Sequence, residues 1–166
     1  WFEYDSGIDG PTVMILGGVH GNEPAGFRAA MEIKHWTIEK GTLIVIPQAN
    51  KLGLRANTRW IPEFRNDRKL KDLNRNFPRQ SDPTTQTELA AGLWDFIKQR
   101  EPDWFFDLHE GYDFHRLNPK SVGSSVIAFA DQSEIATQLT AVANQHIAEE
   151  RGFIPKSDLP LMAPTE

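Results

Sequence analysis

The sequence predicts a three-layer α/β sandwich, a mostly parallel or mixed sheet flanked by helices. Three observations carry this expectation. Short apolar runs are bounded by Gly and Pro, amphipathic helical stretches lie between them, and polar segments rich in His, Asp and Glu follow where the runs end.

Thr12 to Gly17 is an apolar run between Gly10-Pro11 and Gly17-Gly18, short enough for a buried strand. A helix is expected from Glu23 through Trp36, with Phe27, Met31 and Ile33 near helical spacing and Pro24 in the first turn, where its missing N–H costs nothing. Leu43 to Ile46 forms a second buried strand, stopped by Pro47. Residues 47 to 83 carry many Arg, Asn, Pro and Lys without a sustained apolar period and predict one long loop region of functional character. Thr85 to Glu88 fits a capping box, after which Leu89, Leu93, Phe96 and Ile97 mark an amphipathic helix to about Arg100. Trp104 to Leu108 is a third strand and Ser125 to Phe129 a fourth. Ser133 then caps a helix with Ile135, Leu139, Val142 and Ile147 on one stripe.

The 166 residues suit a single catalytic domain over 1–166, expected to be truncated at its C-terminal end. A net charge of −5 is the wrong sign for a protein that neutralises phosphates, so no nucleic acid partner is expected. No run approaches the roughly 20 apolar residues of a membrane span, and a soluble protein is expected, with cytoplasm slightly favoured and oligomeric state open. With no cysteine, any metal must take its ligands from His, Asp and Glu.

His20-Gly21-Asn22-Glu23 follows the first strand and Asp107-Leu108-His109 closes the third. In parallel sheets, sites gather at the carboxyl ends of strands. His20, Glu23 and His109 can there form a facial set of two nitrogens and one carboxylate, the open arrangement of a catalytic zinc site. Glycines 17, 18 and 21 suit the sharp turn this needs. Rival ligands are His115, which could pair with His109, and Glu110, which could replace Glu23; Glu110 ranks lower because adjacent residues at a strand end point in opposite directions. His35, near a helix end, and His146, on a helix stripe, have ordinary structural explanations. In Asp72-Leu73-Asn74-Arg75-Asn76-Phe77-Pro78, the pair Asn74 and Arg75 can grip a carboxylate, unless Arg75 makes only a structural ion pair.

These three segments, in this order across residues 12 to 111, resemble the signatures of the zinc carboxypeptidase superfamily, and most of all its succinylglutamate desuccinylase/aspartoacylase branch. The resemblance implies one Zn2+ per chain, held by His20, Glu23 and His109, and a substrate carboxylate held by Asn74 and Arg75. It also implies an upstream arginine that binds or polarises substrate, for which Arg59 is preferred over Arg55, Arg65 and Arg68. A downstream glutamate is implied as general base and then acid, and Glu166 in Pro164-Thr165-Glu166 matches that context loosely. The activity implied is hydrolysis of an amide bond in a small molecule or peptide with a free carboxylate. An N-acyl amino acid deacylase is favoured; the alternatives are a metallocarboxypeptidase acting on peptides or cell-wall peptides, or a non-catalytic carboxylate-binding module.

Overall fold

The computed structural model describes residues 1–79, 81–128 and 132–157, in two compact units, Trp1–Glu110 and Gly111 onward. In the first unit, four strands pair in the order β1-β3-β2-β4: β1 (Phe2–Asp5), β2 (Thr12–Gly17), β3 (Thr42–Ile46) and β4 (Trp104–Leu108). The pairs β2–β3 and β2–β4 are parallel, whereas β1 runs antiparallel along β3. The sheet is therefore mixed but mostly parallel, as expected.

Alternation along β2 and β3 explains why their sequences are apolar almost throughout. Met14, Leu16, Ile44 and Ile46 face one side, where they join Val19, Ile61, Leu73 and Ala90, with Leu93, Phe96 and Ile97 of α3 (Glu88–Arg100) packed against them. Ile15, Leu43 and Val45 face the other side and meet Ala30 and Ile33 of α1 (Pro24–Ile33). Both faces are covered, which gives the three layers.

The expected elements shift in detail. Helix α1 ends at Ile33 rather than Trp36, where amide bonds from Lys34, His35 and Trp36 to Ala30, Glu32 and Ile33 close its last turn, so His35 lies beyond the helix. Helix α3 is capped by Thr87, whose side chain accepts from the Ala90 amide, not by Thr85. The preceding residues belong to a turn around Asp82, whose carboxylate binds both the amide and hydroxyl of Thr84 and the amide of the Gln86 side chain. Strand β1 escaped the sequence reading because it is a four-residue edge strand, exposed along its whole length. Region 47 to 83 is better anchored than a loop. It contains α2 (Lys51–Arg55) and 3-10 turns at Pro62–Phe64 and Leu73–Arg75, and irregularly spaced Ile61 and Leu73 are buried in the core.

The second unit holds β5 (Ser125–Ala128) and β6 (Ile154–Ser157), paired in parallel, with α4 (Ser133–Ala143) packed on both. The expected strand to Phe129 is matched through Ala128; Phe129 lies outside the described residues. Gln132, not Ser133, occupies the N-cap of α4. The predicted stripe is only partly buried: Ala136 and Thr140 face inward while Leu139 and Val142 are exposed, because the buried face turns on small residues. His146 lies in a 3-10 turn and is exposed, not on a helix stripe. No helix among the described residues is long and apolar enough to cross a membrane.

Between β2 and α1 the chain reverses within a few residues. Gly18 has φ +71°, a conformation that side chains disfavour, and the outgoing turn is fixed by amide bonds from Ala49 and Asn50 to the carbonyls of Gly17 and Gly18. At Gly21 an added Cβ would lie 2.0 Å from the Gly53 carbonyl carbon in the α2 backbone. Gly21→Ala must displace that backbone, and it is expected to destabilise the protein by roughly 1–3 kcal/mol. Urea unfolding checks this, and an unchanged midpoint would contradict it.

Candidate metal centre

Strands β2 and β4 are parallel neighbours, so their carboxyl ends deliver His20 and His109 to the same edge of the sheet. Glu23 follows His20 by one turn, its amide bonded to the His20 carbonyl at 3.2 Å, and it occupies the N-cap position of α1. Its side chain makes no cap bond to its own helix. Instead it points back between the histidines: Oε1 lies 2.7 Å from His20 Nδ1 and Oε2 lies 2.9 Å from His109 Nδ1.

Each imidazole has its far nitrogen on a carboxylate. His20 Nε2 donates to Asp72 Oδ1 at 3.0 Å, and His109 Nε2 donates to Asp107 Oδ2 at 2.9 Å. These bonds leave both Nδ1 atoms facing Glu23, the arrangement in which outer carboxylates orient metal-binding histidines. His20 is 2% exposed. Its Nδ1, although close to Glu23, is out of alignment for a hydrogen bond and is a buried nitrogen without a hydrogen-bond partner.

One ligand atom from each of His20, Glu23 and His109 lies within 4.8 Å of the other two, the one such group among the described residues. Two imidazoles, one carboxylate and an orphaned buried nitrogen fit a divalent metal with an open coordination position. The rival ligands have other partners within their own units. His115 lies in the second unit, where its ring donates to the Ser121 carbonyl. Glu110 Oε2 instead accepts from the Ala25 amide at 2.9 Å.

Of the candidate arginines, Arg59 is the one that reaches this cluster, with Nη1 2.9 Å from Glu23 Oε1 and Nε 3.2 Å from Asp72 Oδ2. Arg55 ends α2, and Arg65 and Arg68 are exposed. Asp72 caps the 3-10 turn Leu73–Arg75 by accepting from the Asn74 amide, and so places Asn74 and Arg75 next to the residue that holds His20. Arg75 Nη1 donates to the Asn74 carbonyl at 3.3 Å, and its charge also acts on Asp72. Glu166 lies outside the described residues.

The sequence reading missed Asp72 and Asp107. The available signal was their position: one opens the Asn-Arg segment and the other stands two residues before a candidate ligand at the end of β4.

Charge is strongly coupled here. Burial pulls the His109 imidazole down, but its bonds to Asp107 and Glu23 outweigh that and raise its pKa to about 10. His20 is likewise raised, since Asp72 and Glu23 overcome its burial. Burial raises both carboxyls, yet the imidazoles hold Glu23 far below the usual carboxylate range, and His20 and Arg59 hold Asp72 at about 2. In the metal-free state the His109 imidazole thus keeps its proton through neutral pH, and the His20 environment favours the protonated form as well. A metal binding there would have to displace the His109 proton, so zinc uptake at pH 7 is expected to release at least about one proton and to tighten as pH rises toward 10. Calorimetry in buffers of different ionisation enthalpy checks the count, and uptake with no proton release would contradict it.

Known structures share this fold. Over 82% of this chain and 39% of the other, it is 25% identical to a succinylglutamatedesuccinylase/aspartoacylase from Rhodobacter sphaeroides, with a TM-score of 0.53. An aspartoacylase family protein from Mesorhizobium loti is 26% identical over 85% and 42% of the two chains, with a TM-score of 0.57. Helicobacter pylori Csd4, a D,L-carboxypeptidase solved in an mDAP-bound form, is 23% identical over 89% and 38%, with a TM-score of 0.69, a likeness of fold. The chain therefore spans about two fifths of the length of the solved proteins it matches. No curated protein matches it.

The architecture is that of the zinc carboxypeptidase-like class of α/β proteins. Within that class, residues 9–147 match the family described as "Succinylglutamate desuccinylase/Aspartoacylase catalytic domain", and the chain belongs to that family.

Proposed function

We propose that this protein is a zinc-dependent hydrolase that cleaves an amide bond in a carboxylate-bearing substrate, with N-acyl amino acids as its preferred substrates. The observation that carries this reading is the convergence of His20, Glu23 and His109 on one point, with the far nitrogen of each imidazole held by an aspartate. Membership of a deacylase family gives the direction of the chemistry.

Zinc bound there supplies a water of pKa about 7 and polarises a carbonyl. The chain's own residues take the remaining roles. Asn74 and Arg75 hold the substrate carboxylate, the guanidinium offering a planar fork of donors. Arg59, anchored through Nε and Nη1 on Asp72 and Glu23, uses its remaining N–H groups to polarise the scissile carbonyl. Glu166 accepts a proton from the attacking water and delivers it to the leaving nitrogen.

A metallocarboxypeptidase is the second reading. The specific observation in its favour is the TM-score of 0.69 to Csd4, above those of 0.53 and 0.57 to the two desuccinylase/aspartoacylase relatives.

Turnover by the zinc-loaded protein of N-acetyl and N-succinyl amino acids, compared with tripeptides bearing a free C-terminus, tests the proposal. Faster hydrolysis of the N-acyl amino acids is expected, and Glu166→Gln is expected to lower kcat by about 10²–10⁴-fold with zinc content unchanged. Peptide cleavage alone would select the carboxypeptidase. Binding of both classes without turnover would leave a carboxylate-binding module.

A further inference from the structure

Using Glu23 as a metal ligand creates a problem for the helix it begins. A residue at an N-cap normally turns its side-chain oxygen onto the free amides of the first turn. Glu23 does not, because both of its oxygens face the histidines and Arg59. Pro24 at the next position has no amide to satisfy, so Ala25 carries the first orphaned N–H of α1.

Glu110 fills that vacancy from another element. Its Oε2 accepts from the Ala25 amide at 2.9 Å, across 85 residues of sequence. In return, its own amide donates to Glu23 Oε2 at 3.1 Å. The two bonds form a reciprocal clasp between the exit of β4 and the start of α1. It resembles a capping box in which the partner residue comes from a strand. The surrounding packing is close, since an added Cβ on Gly26 would lie 2.2 Å from the Leu108 carbonyl oxygen. The clasp joins the residue following one histidine ligand to the carboxylate ligand itself.

We propose that Glu110 is a positioning residue that holds Glu23 and His109 in register for metal binding. It replaces the helix cap that Glu23 gives up and steers the Glu23 carboxylate through its backbone amide. It stands outside the group of His20, Glu23 and His109, with Oε2 on the Ala25 amide. This role rests on the metal-binding reading above.

Glu110→Ala and Glu110→Gln test it, with two readouts. One is hydrogen exchange of the Ala25 amide in the metal-free protein; the other is zinc affinity, measured by competition with a chromogenic chelator. In Glu110→Ala, Ala25 is expected to exchange at least about tenfold faster and zinc to bind about tenfold more weakly, the range found for residues that orient metal ligands. Gln keeps an acceptor oxygen, so Glu110→Gln is expected to restore both to within about threefold. Unchanged exchange in Glu110→Ala would overturn the clasp. Faster exchange with unchanged zinc affinity would reduce Glu110 to a helix cap and overturn the positioning role, as would a Gln variant as impaired as Ala. A wild-type chain that takes up no zinc would defeat the metal reading itself, an outcome distinguished by its occurring before any substitution.

Discussion

His20→Ala is expected to abolish stoichiometric zinc binding, lowering affinity by at least about 10³-fold. The side chain is 2% exposed and its Nδ1 is the buried nitrogen without a hydrogen-bond partner, facing Glu23. A site reduced to one imidazole and one carboxylate lacks the three protein ligands of a catalytic zinc centre. His109→Ala is expected to behave similarly, since its Nδ1 is the other nitrogen facing Glu23. Metal analysis after dialysis measures this directly. Equal zinc in wild type and both variants would remove these residues from the site.

Asp72→Ala carries the second large effect although Asp72 would touch no metal. One carboxylate accepts from His20 Nε2, Arg59 Nε and the Asn74 amide, and so connects a proposed ligand, the proposed polarising arginine and the proposed carboxylate-binding turn. Its removal leaves these donors without their acceptor in a site where Asp72 itself is only 14% exposed. A loss of 10- to 100-fold in zinc affinity is expected, together with about 1–3 kcal/mol of stability for a buried donor left unpaired. Asp72→Asn keeps one oxygen and is expected to fall between wild type and Ala. Chelator competition and urea unfolding separate the two effects. A variant with wild-type affinity would show that His20 needs no orienting partner.

Much of the fold was legible because β2 and β3, unlike the partly exposed β4, are buried on both faces. That burial makes their sequences continuous apolar runs between Gly and Pro, a pattern that composition alone reveals. Strand β1 lies on the sheet edge and is exposed, so it carries no such signature. Strand β6 includes Pro155 and does not read as a strand either. Helix α4 misled for a related reason: Leu139 and Val142 fit a helical stripe, but the face that is buried turns on Ala136 and Thr140.

The candidate site was legible in its proposed ligands, which the fold brings together, and obscure in its supports. His20, Glu23 and His109 sit in recognisable strings at strand ends. The roles of Asp72, Asp107 and Glu110 depend on which atom faces which, across as many as 87 residues of sequence, and no spacing rule encodes that. Glu110 shows this well. The alternation of side chains at a strand end argued against it as a ligand, and the structure agrees, but its bond to Ala25 arises only once α1 is packed beside β4.

X-ray absorption at the zinc edge, on wild-type protein loaded with one equivalent of the metal, tests the central claim most directly. A first shell of two imidazole nitrogens and oxygen ligands from Glu23 and water is expected at about 2.0–2.2 Å, with the imidazole scattering reduced to one ring in His109→Ala. A shell of oxygen ligands alone, or one unchanged by His109→Ala, would contradict it.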